Sequence, residues 1–139
     1  MVKLIAQSLG EYPTEEKIVL IVDDEAIVRE SLGDCLRDSY QVVTAETGEE
    51  ALELIEKQDF DILVVDVRLP GKTGLQVLRE VKEVKPYIDS IVITAYPSVE
   101  LAVEVMKLGA VDYLIKPVAP DNLERLIRET LLKKGKGGH

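Results

Sequence analysis

Acidic, hydroxyl and ammonium side chains stand where the short apolar runs of this 139-residue chain end. These side chains belong to Asp23, Asp24, Asp66, Thr94 and Lys116. Carboxylates brought close together repel each other, and a hard divalent cation such as Mg²⁺ would relieve that repulsion. A site that combines such a cation with an ammonium and a hydroxyl group can hold the oxygens of a phosphoryl group. A central carboxylate can then act as the nucleophile.

The apolar runs themselves are predicted to be strands of a parallel sheet. Residues 18–22 form a continuous, mostly β-branched run that is too short for a helix, which is typical of a strand covered on both faces. The other candidate strands are residues 41–45, 62–65, 90–94 and 111–115.

Helix signals separate the strand candidates in the first half of the chain. Thr47 is followed three residues later by Glu50, and Thr73 by Gln76. Each pair has the pattern of a capping box, in which both side chains bond to the first turn of a helix.

The second half of the chain carries helix signals as well. Ser98 can cap a helix that Gly109 ends, and Pro120 can begin the last helix. The helix after Ser98 carries four apolar residues on one side, namely Val99, Ala102, Val103 and Met106.

Strand and helix signals therefore alternate along the chain, which predicts an α/β fold with helices on both faces of a parallel sheet. Five strands favour a flavodoxin-like doubly wound sheet of order 2-1-3-4-5 with five helices. Function in such sheets gathers at the carboxyl ends of the strands, beside the switch in strand order. The polar residues that end the strands are expected to meet at that edge.

Composition excludes several classes of function. Acidic residues outnumber basic ones by 26 to 17, and the net charge of -9 argues against a nucleic-acid-binding surface. The single cysteine, Cys35, cannot form an internal disulfide, and no Cys/His cluster has metal-ligand spacing. No stretch approaches the roughly 20 apolar residues of a membrane span. The chain is predicted to be cytoplasmic.

The length predicts one domain with a single core. We expect that domain to occupy residues 18–133, after an N-terminal extension of residues 1–17. Residues 134–139 are rich in Gly and Lys, and are predicted to be a flexible tail or a cloning remnant.

Five motifs resemble, in order and spacing, the receiver domains of response regulators, the CheY-like family of two-component signalling. The motifs are Asp23-Asp24, Asp66, the segment 69–74, Thr94-Ala95 and Lys116-Pro117. The resemblance covers nearly the whole chain. Each motif is weak alone, but the set is specific.

The resemblance implies a phosphoacceptor and a metal site. Asp66 would accept the phosphoryl group, with Mg²⁺ or Mn²⁺ as cofactor. Asp24 would bind the metal directly and Asp23 mainly through water. The carbonyl of Arg68, two residues past the acceptor, would be a further ligand.

The resemblance also implies residues that respond to phosphorylation. Thr94 and Lys116 would each contact a phosphoryl oxygen, and the bond between Lys116 and Pro117 would be cis. Tyr113 would be the aromatic residue that turns inward as Thr94 moves.

The residues that flank the acceptor site are expected to control the lifetime of the phosphoryl group. Arg68 and Tyr96 stand where the family tunes the access of water, and we expect a phosphoryl form that lasts minutes rather than seconds.

The partners implied are a histidine kinase or phosphotransfer protein, and a second copy of the chain at the face of the fourth helix, fifth strand and fifth helix. Charged residues available there are Glu104, Lys107, Asp112, Arg125 and Arg128. No direct contact with nucleic acid or membrane is expected. The chain would be the receiver of a transcription-type regulator or a stand-alone regulator.

Other functions fit less well. An aspartate-nucleophile phosphohydrolase needs a second Asp two residues after the first, where this chain has Arg68. No enzymatic activity is therefore expected beyond the chain's own phosphorylation and dephosphorylation. A flavin carrier needs a phosphate loop rich in Ser, Thr and Gly after the first strand, where Asp23 and Asp24 stand. A degenerate receiver would have lost an acid or the lysine, and this chain has lost neither.

Overall fold

A computed structural model describes residues 16–137 of the chain. Within that range five strands form one parallel sheet of order β2-β1-β3-β4-β5, which confirms the predicted flavodoxin-like fold. The strands are β1 (Ile18–Val22), β2 (Gln41–Ala45), β3 (Ile62–Asp66), β4 (Asp89–Thr94) and β5 (Asp112–Ile115). Their bounds agree with the predicted ones to within one residue.

Five helices connect and follow the strands in the described range. They are α1 (Ala26–Leu36), α2 (Gly48–Lys57), α3 (Gly74–Val84), α4 (Val99–Lys107) and α5 (Pro120–Gly137). None of them is long and apolar enough to cross a membrane.

The last helix runs further than the sequence suggested. Helix α5 continues to Gly137, so the predicted domain boundary at residue 133 falls inside it. Lys134 Nζ donates to the carbonyl oxygen of Tyr87 and lies 3.5 Å from the Asp89 carboxylate, which ties this turn to the start of β4. Of the predicted N-terminal extension, residues 1–15 lie outside the described residues, as do residues 138–139 at the other end.

The core lies on both faces of the sheet, as expected for parallel strands. All five residues of β3 are buried. On β1, Val19 and Ile21 pack in one cluster with residues of α1 and α5, whereas Leu20 and Val22 pack in the other with residues of α2, α3 and α4. This alternation explains why an unbroken apolar run forms a strand, because each face has its own layer of helices.

The helix caps follow the sequence signals with one difference. Thr73 and Gln76 form a complete capping box at α3. At α2, Thr47 accepts from the backbone N–H of Glu50, but the Glu50 carboxylate accepts from the backbone N–H of Glu46 instead of closing the box. The Thr47 box is therefore only half formed, because a different N–H lies within reach of Glu50.

The signals in the second half of the chain are confirmed. Ser98 accepts from the backbone N–H of Leu101 at the start of α4. Gly109 has a φ of 90° after that helix, a conformation that favours glycine. Pro120 is the first residue of α5.

Helix α4 presents an apolar side to solvent. Val105 is its only buried residue, while Val99, Val103 and Met106 are exposed. The apolar side noted in the sequence therefore does not face the core, because Val105 and Leu101 on the opposite side of the helix pack there instead.

Candidate functional site

The polar residues predicted to meet at the sheet edge do so. Parallel pairing places the carboxyl ends of β1, β3, β4 and β5 side by side, with Asp66 opposite Ile93 in the register of β3 and β4. The backbone N–H of Lys116 donates to the carbonyl of Thr94 at 2.8 Å, which extends the β4–β5 ladder into the site. The bond between Lys116 and Pro117 is cis.

Asp66 is a buried carboxylate at the end of the central strand, with both oxygens hydrogen-bonded. Its Oδ2 accepts from Lys116 Nζ at 2.7 Å, and its Oδ1 accepts from the backbone N–H of Arg68 at 3.1 Å. These donors orient the carboxylate toward the acidic residues that follow β1. Asp66 is therefore fixed in position by one side-chain donor and one backbone donor.

Lys116 is shared by three carboxylates. Its Nζ donates to Asp66 and to Glu25 Oε1, at 2.9 Å for the latter, and it lies 2.8 Å from Asp23 Oδ2. Burial lowers the pKa of Lys116, but hydrogen bonds with these acids outweigh that effect, and the pKa lies above its ordinary value. The lysine is therefore a fixed positive charge at this edge.

Asp23 is fully buried and has an oxygen that no hydrogen bond satisfies. Its Oδ1 accepts from the backbone N–H of Glu25, but its Oδ2 has only the ionic contact with Lys116. Burial raises the pKa of Asp23, and the nearby Lys116 acts in the opposite sense. Such an oxygen is suited to a cation, because a buried acceptor without a hydrogen bond is costly and a positive charge offsets that cost.

Three carboxylates form a group that could hold a metal ion. One oxygen from each of Asp23, Asp24 and Asp66 lies within 4.8 Å of the others. Asp24 is exposed while the other two are buried, so the group opens to solvent on one side. The donor set consists of carboxylate oxygens alone, which suits hard divalent cations.

The loop after Asp66 folds back tightly against the backbone of Asp66. A Cβ on Gly74 would lie 2.2 Å from the carbonyl oxygen of Asp66, so only glycine fits where α3 begins. Gly71 has a φ of 74° in the same loop. The chain thereby folds back at once after β3 and keeps Asp66 at the rim of the sheet.

Thr94 and Tyr96 connect the site to the loop before α4. The buried Thr94 Oγ1 accepts from the backbone N–H of Tyr96 at 3.0 Å. The Tyr96 ring lies under the guanidinium of Arg68, whose Cζ is 4.2 Å from the ring centroid. The two residues that the sequence placed beside the acceptor are therefore in contact with each other.

Tyr113 lies half buried on β5 and reaches the start of α4. Its hydroxyl oxygen accepts from the backbone N–H of Ser98 at 3.2 Å, and Ser98 in turn caps α4. The Tyr113 side chain thus joins β5 to the end of the loop between β4 and α4, and Thr94 holds the start of that loop.

Sequence reasoning missed two residues at this edge. Glu25 contacts Lys116, and Arg29 Nη1 donates to the carbonyl of Asp23 at 2.7 Å. The only sequence signal for Glu25 was its place directly after the two aspartates, and Arg29 carried none. Their contacts depend on how the chain turns from β1 into α1.

An open apolar groove lies beside Lys116. It is lined by Ile27, Val28, Leu32, Pro117 and Val118, with Glu25 and Lys116 at its polar end. Ile27 is among the most exposed large hydrophobic residues of the described chain. The groove runs between the start of α1 and the loop that follows β5.

The family model of the response regulator receiver domain matches residues 19–128, a range that contains every residue of the site. The chain belongs to this family. The receiver is 42% identical over 114 residues to the transcriptional regulatory protein ZraR of Escherichia coli, covering 81% of this chain and 26% of that protein. It is 40% identical over 106 residues to the alginate biosynthesis transcriptional regulatory protein AlgB of Pseudomonas aeruginosa, covering 76% and 24%. The chain thus spans about a quarter of the length of these curated relatives.

Solved structures agree with this membership. A CheY-like receiver domain protein from Methanospirillum hungatei superposes with a TM-score of 0.85 at 33% identity, covering 88% of this receiver and 99% of that chain. The five-stranded parallel sheet with five helices is therefore the fold of this family.

Proposed function

We propose that this receiver accepts a phosphoryl group on Asp66 from the phosphohistidine of a histidine kinase or phosphotransfer protein. The arrangement of Asp66 carries the proposal. It is a buried carboxylate held by Lys116 and by a backbone N–H, and it stands within a group of acids suited to a cation.

The chemistry requires one bond to form and one to break. An oxygen of the Asp66 carboxylate attacks phosphorus, the bond from phosphorus to the imidazole nitrogen breaks, and the imidazole leaves as neutral histidine after taking up a proton. Lys116 then pairs with one phosphoryl oxygen, and the Thr94 hydroxyl donates to another. The product is an acyl phosphate on Asp66.

Mg²⁺ is the cofactor that fits this donor set, with Mn²⁺ as a substitute. Asp23, Asp24 and Asp66 would hold it, with the backbone carbonyl of Arg68 as a further ligand. Its charge would offset the repulsion between these carboxylates and the incoming phosphoryl oxygens. Asp23 Oδ2 supports this assignment, because it is buried, has no hydrogen bond and contacts only the ammonium group of Lys116.

The apolar groove beside Lys116 is the surface where the donor protein would dock. Its exposed Ile27 and the neighbouring Pro117 offer apolar area next to the acceptor. A helix of the donor seated there would bring its phosphohistidine to Asp66 and exclude water from the transfer.

The receiver is proposed to be part of a longer transcription-type regulator. ZraR and AlgB are named transcriptional regulatory proteins, and each is about four times as long as the region it shares with this chain. In such a protein the receiver would control a separate output domain. It would have no turnover of foreign substrates, because Arg68 stands where a phosphohydrolase needs an acid.

Phosphotransfer tests the proposal directly. The receiver is incubated with a phosphorylated histidine kinase and Mg²⁺, and the intact mass is recorded. We expect the mass to rise by one phosphoryl group in the parent and in Asp38→Asn, which removes an exposed carboxylate on the loop after α1. Asp66→Asn should remain unmodified. Equal modification of Asp66→Asn would show that another residue is the acceptor.

A second copy of the receiver is the proposed partner of the α4-β5-α5 face. Val99, Val103 and Met106 on α4 and Ile115 on β5 are exposed apolar residues. Glu104 and Arg128 on this face already pair within the chain, with Arg79 and Glu124. Apolar contact is therefore expected to dominate over cross-subunit ion pairs. Sedimentation should show a dimer with the phosphoryl mimic beryllofluoride and a monomer without it, and equal sedimentation would contradict this.

A further inference from the structure

Three carboxylates compete for one ammonium group beside the acceptor, and only one of them is exposed. Lys116 Nζ lies 2.7 Å from Asp66, 2.8 Å from Asp23 and 2.9 Å from Glu25. The side chains of Asp66 and Asp23 are 6% and 0% exposed, whereas that of Glu25 is 57% exposed. An ammonium group has three N–H donors, of which Asp66 and Glu25 each accept one, while Asp23 Oδ2 makes an ionic contact.

Glu25 reaches Lys116 from a position where its carboxylate has no local role. It is the N-cap residue of α1, but its side chain makes no capping hydrogen bond. Glutamate is not among the residues that N-caps prefer, which are Asn, Asp, Ser and Thr. The contact with Lys116 joins residues 91 positions apart, so it arises from the tertiary fold and not from the helix start.

A phosphoryl group on Asp66 would place further anionic oxygens beside Lys116, where they compete with the acids already in contact with the ammonium group. Asp23 is buried, and leaving it without its ionic contact would be costly. Asp66 loses its carboxylate charge when it becomes an acyl phosphate, which leaves Asp23 and Glu25 as the other anions in contact with Lys116. Glu25 can turn into water at little cost, because charges at exposed positions remain solvated.

We propose that Glu25 is a positioning residue that holds Lys116 in the resting receiver and is displaced when the phosphoryl group binds. This inference rests on the proposed function, in which Asp66 is the acceptor. Glu25 thereby lowers the affinity of the site for a phosphoryl group, both by occupying the lysine and by adding a negative charge beside the incoming anion.

Beryllofluoride binding tests the inference with a readout that does not depend on a transfer rate. At saturating Mg²⁺, Glu25→Gln should bind the mimic roughly three- to ten-fold more tightly than the parent, as expected for one partly exposed charge. Glu30→Gln removes the same charge from an exposed site further along α1 and should stay within about two-fold of the parent. Dissociation constants are measured by ¹⁹F NMR.

A shorter acid separates the contact from the charge. Glu25→Asp keeps the charge but lacks one methylene, so it loses the reach to Lys116 and should bind the mimic more tightly than the parent. The ¹⁵N signal of Lys116 Nζ should move in both Glu25 variants without any mimic and stay unchanged in Glu30→Gln.

Several outcomes would overturn the inference. The inference about Glu25 would be overturned, with the proposed function left intact, if Glu25→Gln bound the mimic no more tightly than the parent. Parent-like binding by Glu25→Asp would have the same consequence. A parent that binds no beryllofluoride and accepts no phosphoryl group would overturn the proposed function as well, so the two failures are distinguishable.

Discussion

The guanidinium of Arg68 lies over the ring of Tyr96, with 4.2 Å between Cζ and the ring centroid. Arg68 follows Asp66, the proposed acceptor, by two residues, and Tyr96 follows Thr94 by two. A cation–π contact of this kind is worth about 0.5–1 kcal/mol at an exposed site. The contact therefore links the residue two past Asp66 to the residue two past Thr94.

Removing either member of this pair should speed the loss of the phosphoryl group. We expect Arg68→Ala and Tyr96→Ala to lose phosphate roughly two- to five-fold faster than the parent. Each change removes a contact worth about 0.5–1 kcal/mol, so the remaining side chain should restrict the attacking water less. The double variant should be no faster than the faster single one, since the residues act together. Phosphate loss from the labelled receiver with Mg²⁺ measures these rates.

Arg37→Ala serves as the control for that series, because Arg37 pairs with Asp34 on the surface after α1. It should leave the rate unchanged. A parent half-life of a few seconds, or additive effects of the two alanine variants, would contradict the interpretation.

Replacing Tyr113 should loosen the start of α4. Tyr113→Phe removes the oxygen that accepts from the backbone N–H of Ser98, and a hydrogen bond at a surface turn is worth about 0.5 kcal/mol. Amide exchange at Ser98 should quicken in this variant. Tyr87→Phe also removes a tyrosine hydroxyl, one that bonds to Asp59, and should leave exchange at Ser98 unchanged.

Glycine is required at the start of α3 but not in α1. Gly74→Ala would place a Cβ 2.2 Å from the carbonyl of Asp66 and should lower the free energy of unfolding by about 1–3 kcal/mol. Gly33→Ala meets only the flexible side chain of Arg37, at 3.2 Å, and should be neutral or stabilising by up to about 1 kcal/mol. Urea unfolding compares the two, and equal losses would argue against the close approach at Asp66.

A cluster of Asp59, Lys85 and Tyr87, near the amino ends of β3 and β4, should make the free energy of unfolding depend on pH. Asp59 accepts from the Tyr87 hydroxyl and from Lys85, and these hydrogen bonds lower the pKa of Asp59 from 3.8. A lowered pKa means that its contribution is present above the unfolded value and is lost as pH falls through the folded one.

Unfolding of the parent and Tyr87→Phe at several pH values tests this. The parent should be the more stable at pH 7, and the difference should shrink below about pH 4, where Asp59 takes up a proton. A difference that stays constant down to pH 3 would show that the carboxylate is not the partner that matters.

Magnesium should stabilise the receiver through its acids. We expect the thermal midpoint of the parent to rise with the Mg²⁺ concentration, because a ligand that binds only the folded state stabilises it. The thermal midpoint of Asp24→Asn should rise much less, whereas that of Asp38→Asn should rise as in the parent. Equal shifts in all three proteins would place the ion elsewhere.

Local signals in the sequence were sufficient for most of the fold. The strands could be predicted because each is a short apolar run that both faces of a parallel sheet cover, and β1 and β2 lie at their predicted bounds. The caps at Thr73 and Ser98 depend on residues three positions apart, so they too could be read locally. Glu50 differs because a second N–H, that of Glu46, competes for its carboxylate.

The candidate site could be predicted as a set of residues but not as a set of contacts. The sequence placed Asp23, Asp66 and Lys116 at one edge, because the carboxyl ends of parallel strands meet there. The sharing of Lys116 with Glu25 and the stacking of Arg68 on Tyr96 could not be foreseen. They join residues far apart in sequence through side-chain conformations that only the packed chain selects.

The sequence by itself determined the fold class, the strand order and the meeting of Asp23, Asp24 and Asp66 at one edge, because these follow from periodicity, caps and strand ends. Only the tertiary structure decided which carboxylates hold Lys116 and which side of α4 faces solvent. The reason is physical. Local patterns specify elements, whereas contacts over 91 positions and the choice of a buried face depend on how all the elements pack together.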